Sequence, residues 1–124
     1  MIRFASGLLG LVLLPLFACD AVAADAAEGR RVFQQCAVCH SLKPGENKLG
    51  PSLSGVIGRN AASVPGFNYS SAMMSSGLTW DDATLHRYLA NPKAVVPGTK
   101  MAFAGVPDAK RVDNLIAYLK QATP

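Results

Sequence analysis

Residues 36–40 read Cys36-Ala37-Val38-Cys39-His40, and few five-residue runs restrict a fold so narrowly. Two thiols separated by two residues, with an imidazole directly after the second, form the signature of covalent haem attachment. Each thiol adds across one vinyl group of the macrocycle, and two intervening residues in a helical turn set both sulfurs on one side. The adjacent imidazole then lies over the iron and supplies one axial ligand. Two other readings of a C-x-x-C pair need more than this chain contains. A thioredoxin-like redox pair requires a surrounding βαβ pattern, and nothing here alternates with period two for long enough to make a sheet. A zinc site requires further Cys or His ligands at suitable spacing, and downstream of the N-terminal segment only His86 remains. The expected cofactor is one covalently attached haem c with its iron.

The first 24 residues differ in kind from the rest. Arg3 precedes an apolar stretch over residues 4–18, and Ala21-Val22-Ala23-Ala24 follows. A basic start, a short apolar centre and an A-x-A-like site make a secretory signal peptide, cleaved after Ala23 or Ala24. The stretch falls short of the roughly 20 residues a membrane-spanning helix needs, so no stable membrane insertion is expected. Cys19, after Leu16-Phe17-Ala18, offers an alternative in which a lipid tethers the chain. Phe17 is bulky for such a signal, and a discarded peptide is the preferred reading. Residues 25–124 then form one domain. The net charge of +4, with no run of Lys or Arg, makes no case for nucleic acid. It leaves room for an acidic protein surface or an anionic membrane face.

Helical patterns and loops divide the domain. Asp25-Ala26-Ala27-Glu28 reads as a capping box, and a first helix from near Asp25 delivers the haem motif at its end. Gly29 inside that helix costs roughly 1 kcal/mol against Ala, which close approach of another helix would explain. Residues 43–65 are rich in Gly, Pro, Asn and Ser and read as a long loop. A short helix is expected over residues 70–76, stopped by Gly77. Thr79-Trp80-Asp81-Asp82 reads as a second capping box, opening a helix with Leu85, Tyr88 and Leu89 on one face until Asn91-Pro92. A loop from Lys93 to about Pro107 precedes a final amphipathic helix carrying Val112, Leu115, Ile116 and Leu119. Loops this long in a small domain are unusual unless a large apolar cofactor supplies part of the core.

A sixth iron ligand must come from Met73, Met74, Met101, His86 or Lys100. His86 falls outside the Leu85–Leu89 stripe and reads as a solvated helix-surface residue. Met73 and Met74 lie on the short helix, where packing is the usual role of methionine. Met101 follows a Pro97-Gly98 turn that can aim a side chain inward. Spacing alone leaves it one candidate among several.

Several motifs follow in order: Cys36 to His40, Gly50-Pro51-Ser52-Leu53, Gly58-Arg59, Gly66-Phe67-Asn68-Tyr69-Ser70, Gly77-Leu78-Thr79-Trp80, Tyr88-Leu89-Ala90-Asn91-Pro92, Pro97 to Met101 and Leu115 to Lys120. The chain thereby resembles class I cytochrome c, in particular its mitochondrial-like bacterial branch, over essentially all of residues 25–124. The resemblance implies an all-α cytochrome c fold of about four to five helices, with long loops wrapping one covalently bound haem. It implies His40 and Met101 as the axial ligands and Cys36 and Cys39 as the attachment points. The Pro51 carbonyl would accept the second ring proton of His40. Arg59, Tyr69 and Trp80 would surround the haem propionates, and Tyr88 and Thr99 would lie near the methionine side. Gly29, Phe33, Leu115 and Tyr118 would form the crossing of the first and last helices. Two departures stand out. Met73 replaces an asparagine near the propionates. Lys48, Lys93 and Lys100 match the basic docking rim of the mitochondrial pattern, whereas Gln35, Ala94, Pro107 and Asp108 fall where that pattern has lysines.

The expected protein is an exported, monomeric electron carrier of the periplasm and not an enzyme. Its partners would be met by transient docking: a cytochrome bc complex, a terminal oxidase, a photosynthetic reaction centre or a periplasmic dehydrogenase. A haem-bearing subunit of an oxidoreductase complex, or a haem enzyme or gas sensor with an open sixth site, are the competing classes.

Overall fold

The computed structural model describes residues 14–16, 18 and 22–124; most of the expected leader, with Arg3, Cys19 and Ala21, lies outside them. The described chain contains five helices: α1 (Ala26–Ala37), α2 (Ser71–Met74), α3 (Asp82–Ala90), α4 (Pro92–Val95) and α5 (Ala109–Ala122). No strand occurs among the described residues, only an isolated antiparallel bridge between Asn60 and Thr79. No helix among them is long and apolar enough to cross a membrane.

Capping explains where the helices begin. Asp25 caps α1, its carboxylate accepting from the Ala27 and Glu28 amides at 2.9 and 3.2 Å. The expected capping box is only half built. Glu28 pairs with Arg31 instead, and the Asp25 amide donates to Asn114 Oδ1 at 2.8 Å, tying the start of α1 to α5. The second expected box is corrected in the same way. Asp81, not Thr79, caps α3 by accepting from the Thr84 amide at 2.8 Å. The Thr79 hydroxyl donates across the bridge to Asn60 Oδ1.

Two further expectations shift. The short helix occupies residues 71–74 rather than 70–76, because the Ser76 hydroxyl donates to the Met73 carbonyl at 2.8 Å and ends the turn. The loop expected from Lys93 begins with the one-turn α4. Pro92 stands in its first turn and Asn91 caps the Ala94 amide, an arrangement preorganised by the fixed φ of proline.

The helices form a frame around a one-sided core. Helices α1 and α5 cross where Gly29 lies against α5: a Cβ there would run into the Asn114 carbonyl and the Tyr118 side chain. The absence of that carbon permits the close approach, which outweighs the helix-propensity cost of glycine. Phe33 and Tyr118 close the crossing with ring centroids 5.4 Å apart. Val32, Leu85, Leu89, Val112, Leu115 and Leu119 are buried together. His86 lies on another face of α3, partly exposed, with Nε2 3.1 Å from Asp113 of α5.

Candidate functional site

The motif sits where α1 ends. The Cys39 and His40 amides both reach back to the Cys36 carbonyl, at 3.1 and 2.9 Å, so the helical turn continues through the pentapeptide. Cys36 and Cys39 are not joined to each other. Burial, with a smaller contribution from Cys39, pushes the Cys36 thiol up to about 11, so it stays protonated at neutral pH.

The loop after the motif folds back onto it. The Gly50 amide donates to the Cys39 carbonyl at 2.8 Å and the Leu53 amide to the Ser41 carbonyl at 2.8 Å. These bonds bring the Pro51 carbonyl to 2.7 Å from His40 Nδ1. A Cβ on Gly50 would overlap the His40 ring, so the backbone packs directly on the imidazole. Burial holds the His40 pKa below its ordinary value, against the opposing Pro51 bond, while the Arg59 and Lys48 charges lower it further. A neutral ring that donates from Nδ1 to a carbonyl keeps the Nε2 lone pair available.

Met101 arrives on a different kind of support. The segment after α4 has little regular structure. Its Met101 amide donates to Thr99 Oγ1 at 3.3 Å. The Tyr88 hydroxyl, from α3, lies 3.2 Å from Thr99 Oγ1 and 4.0 Å from Met101 Sδ. Burial raises the Tyr88 pKa, with the Thr99 bond opposing, so the phenol remains a donor. The segment is tied to α3 at its far end by the Val106 amide donating to the Leu89 carbonyl at 2.8 Å.

A third group is placed by backbone pairing. The Gly58 amide donates to the Trp80 carbonyl at 2.8 Å, the Trp80 amide to the Arg59 carbonyl at 2.8 Å, and the Ala61 amide to the Leu78 carbonyl at 2.8 Å. This fixes Arg59 beside Trp80, whose ring lies 4.8 Å from that of Tyr88. Arg59 Nη1 donates to the Ser52 and Ser54 carbonyls, both at 2.9 Å. The Tyr69 hydroxyl accepts from the Val64 amide at 3.1 Å, and its ring meets Phe67 edge-on.

These segments enclose one cavity of about 450 Å³. Its lining includes Cys36, Cys39, His40, Pro51, Arg59, Tyr69, Trp80, Tyr88, Thr99 and Met101. His86, Met74 and the His86–Asp113 pair are not part of it; Met73 is, and it is buried. The remaining lining is chiefly apolar and includes Phe33, Leu53, Val56, Leu85, Leu89, Leu115 and Leu119. The residues present fit a haem. Apolar walls suit a macrocycle, and two thiols, one imidazole and one thioether are the donors c-type attachment and ligation use. Arg59 Nε is buried with no hydrogen-bond partner among the described residues, a costly state that an anionic propionate would relieve.

Sequence reasoning assigned no role to Gly50 or Leu49, although both line the cavity. Gly50 packs on the imidazole, and the Gly-Pro pair ten and eleven residues after His40 is the available signal. Leu49 carries no signal, because an isolated leucine in a loop has no period. The lysine rim is also altered by contacts invisible in sequence: Lys48 Nζ donates to the Ala37 carbonyl at 2.8 Å and Lys100 Nζ to the Asn68 carbonyl at 3.3 Å. Asp108 caps α5 by accepting from the Lys110 and Arg111 amides.

Comparison with known proteins adds independent findings. A family model described as Cytochrome c matches residues 26–123. The chain is 50% identical over 113 residues to cytochrome c2 of Blastochloris viridis, covering 90% of this chain and 89% of that one. It is 48% identical over 101 residues to cytochrome c of Gibberella zeae, covering 80% of this chain and 95% of that one. Among solved structures, cytochrome cH from Methylobacterium extorquens superposes with a TM-score of 0.74 at 48% identity, covering 79% of this chain and 99% of that chain.

Proposed function

Because the chain belongs to the cytochrome c family and so carries one covalently bound c-type haem, we propose that the cavity seats this haem and that the protein is a periplasmic one-electron carrier, not an enzyme. The bound haem supplies an iron that alternates between two charges. The chain's own residues do the rest. Cys36 and Cys39 provide the two thioether attachments. His40 Nε2 and Met101 Sδ would hold its iron, the first oriented by Pro51 and the second by Tyr88 and Thr99. Arg59, Tyr69 and Trp80 receive the propionates. Thioether ligation and an apolar surround both favour the reduced state relative to two imidazoles in a polar site.

One observation carries the carrier reading: a single cavity brings together the His40 imidazole and the Met101 thioether, the latter beside the Tyr88 hydroxyl. With both holding the iron, no coordination position would remain for a substrate, and electrons would pass to partners during brief docking. Residues 1–24 act as the signal peptide, cleaved after Ala23 or Ala24, and residues 25–124 work as a monomer. The partners are membrane redox complexes or periplasmic dehydrogenases.

The test is Met101→Ala. The wild type is expected to show the weak sulfur-to-iron absorption band near the red end of the visible spectrum and to bind carbon monoxide poorly. The variant should lose the band, admit the gas and drop in potential while the haem stays attached. A wild type that lacks the band and binds carbon monoxide readily would replace this reading with an enzyme or gas sensor.

A further inference from the structure

Helix α5 holds the junction between the leader and the domain on both sides of the expected cut. The Asp25 amide donates to Asn114 Oδ1 at 2.8 Å, and Asn114 is buried where α5 meets Gly29 of α1. Lys110 Nζ donates to the Val22 and Ala23 carbonyls, each at 3.1 Å. Val22 and Ala24 also line a groove between α3 and α5, together with His86, Lys110, Asp113 and Ile116.

Helix α1 begins directly after this junction. The Asp25 carboxylate accepts from the Ala27 and Glu28 amides, and the Asp25 carbonyl accepts from the Gly29 amide at 2.9 Å. Residues 22–25 are exposed, so an enzyme can approach them, but the backbone it must grasp is engaged. A peptidase takes its substrate as an extended strand through main-chain hydrogen bonds. Its nucleophile adds to the carbonyl carbon while preorganised donors take the oxygen. In the folded chain the Ala23 carbonyl already accepts from an ammonium, and the residues after either cut are capped into a helix.

We propose that Asn114 and Lys110 lock the leader junction once the domain has folded, so that a leader peptidase cuts this chain before folding or through local opening of the α1 start. The proposal rests on the signal-peptide reading of residues 1–24 and specifies when the cut is made. Hydrolysis adds one water across the Ala23–Ala24 or Ala24–Asp25 bond, leaving a carboxylate on the leader and an ammonium on the domain. Opening must first break the Asn114 and Lys110 contacts, so the rate on folded chains follows the population of the open form.

The test treats the full haem-loaded chain with purified leader peptidase in detergent and follows leader release by mass spectrometry. A peptide of residues 1–30, which lacks α5, is the unlocked reference. It should be cut about a hundredfold faster than the folded chain, the effect of three junction bonds at about fivefold each. Asn114→Ala should speed cutting of the folded chain about fivefold, and Lys110→Ala, at an exposed position, about twofold. Asp81→Ala weakens the frame without touching the junction and should leave the rate unchanged. A folded chain cut as fast as the peptide overturns the lock. So does Asp81→Ala matching Asn114→Ala, which would route cutting through global unfolding. If Asn114→Ala fails to fold, an unchanged rate in Lys110→Ala overturns it equally. A peptidase that cuts neither the chain nor the peptide removes the signal-peptide reading itself, and the lock with it.

Discussion

His40 and Met101 line the same cavity, yet the chain secures them by different means. His40 is locked by backbone: a helical turn behind it, the Pro51 carbonyl at 2.7 Å and the Gly50 main chain packed on its ring. Met101 is steadied by side chains, through Thr99 at 3.3 Å and a Tyr88 hydroxyl 4.0 Å from its sulfur. Backbone contacts depend on the fold of the whole loop, whereas hydroxyl contacts can be removed singly. The histidine side should therefore fail only when the domain fails. The methionine side is the one that can open while the rest stands.

The hardest test of that contrast removes what both sides are built to hold. Cys36→Ala with Cys39→Ala detaches the cofactor that fills the cavity, and little folded protein should accumulate, as read by far-ultraviolet circular dichroism together with haem absorbance. Native helicity without haem would show that the helical frame needs no cofactor. Next in size is Gly50→Ala. Its Cβ must displace the His40 ring, an overpacking that costs about 1–3 kcal/mol before the loss of the Pro51 bond is counted. Denaturant titration should show a larger loss than for any single change around Met101.

On the other side, Tyr88→Phe removes the hydroxyl bonded to Thr99 and should cost about 1 kcal/mol. It also sharpens the comparison through pH. Burial raises the Tyr88 pKa in the folded state, so the stability associated with its neutral form is fully present below the unfolded value of about 10 and is lost as pH rises through the folded value. The wild type should lose stability in that alkaline window, and the variant should lack this component. The smallest effect belongs to the frame. The Thr84 amide and hydroxyl hold the Asp81 carboxylate below the usual range. Its contribution is present above the unfolded value near 4 and disappears as pH falls through the folded one. Asp81→Ala should lower the melting temperature slightly at neutral pH and flatten the acid limb of the stability profile.

Much of this arrangement is legible in the chain because its signals are local. The pentapeptide at Cys36 names the cofactor through spacing alone, and the Val112–Leu119 stripe marks a helix through period alone. Asp25 announces a helix start because a cap acts within three residues. The one-turn α4 reads as loop in sequence, because a proline that ends one helix can also open the next. Thr79 reads as a cap because its partner in the bridge, Asn60, is nineteen residues away.

By itself, then, the sequence determines the haem motif, with its two thiols and one imidazole, and a helical frame, since each depends on covalent spacing or a short-range period. Only the tertiary structure decides which hydroxyls steady Met101, why Gly29 and Gly50 carry no side chain, and that Lys48 and Lys100 bond back to remote carbonyls. Those features arise where segments remote in sequence meet, and contact between remote segments leaves no periodic trace in the chain.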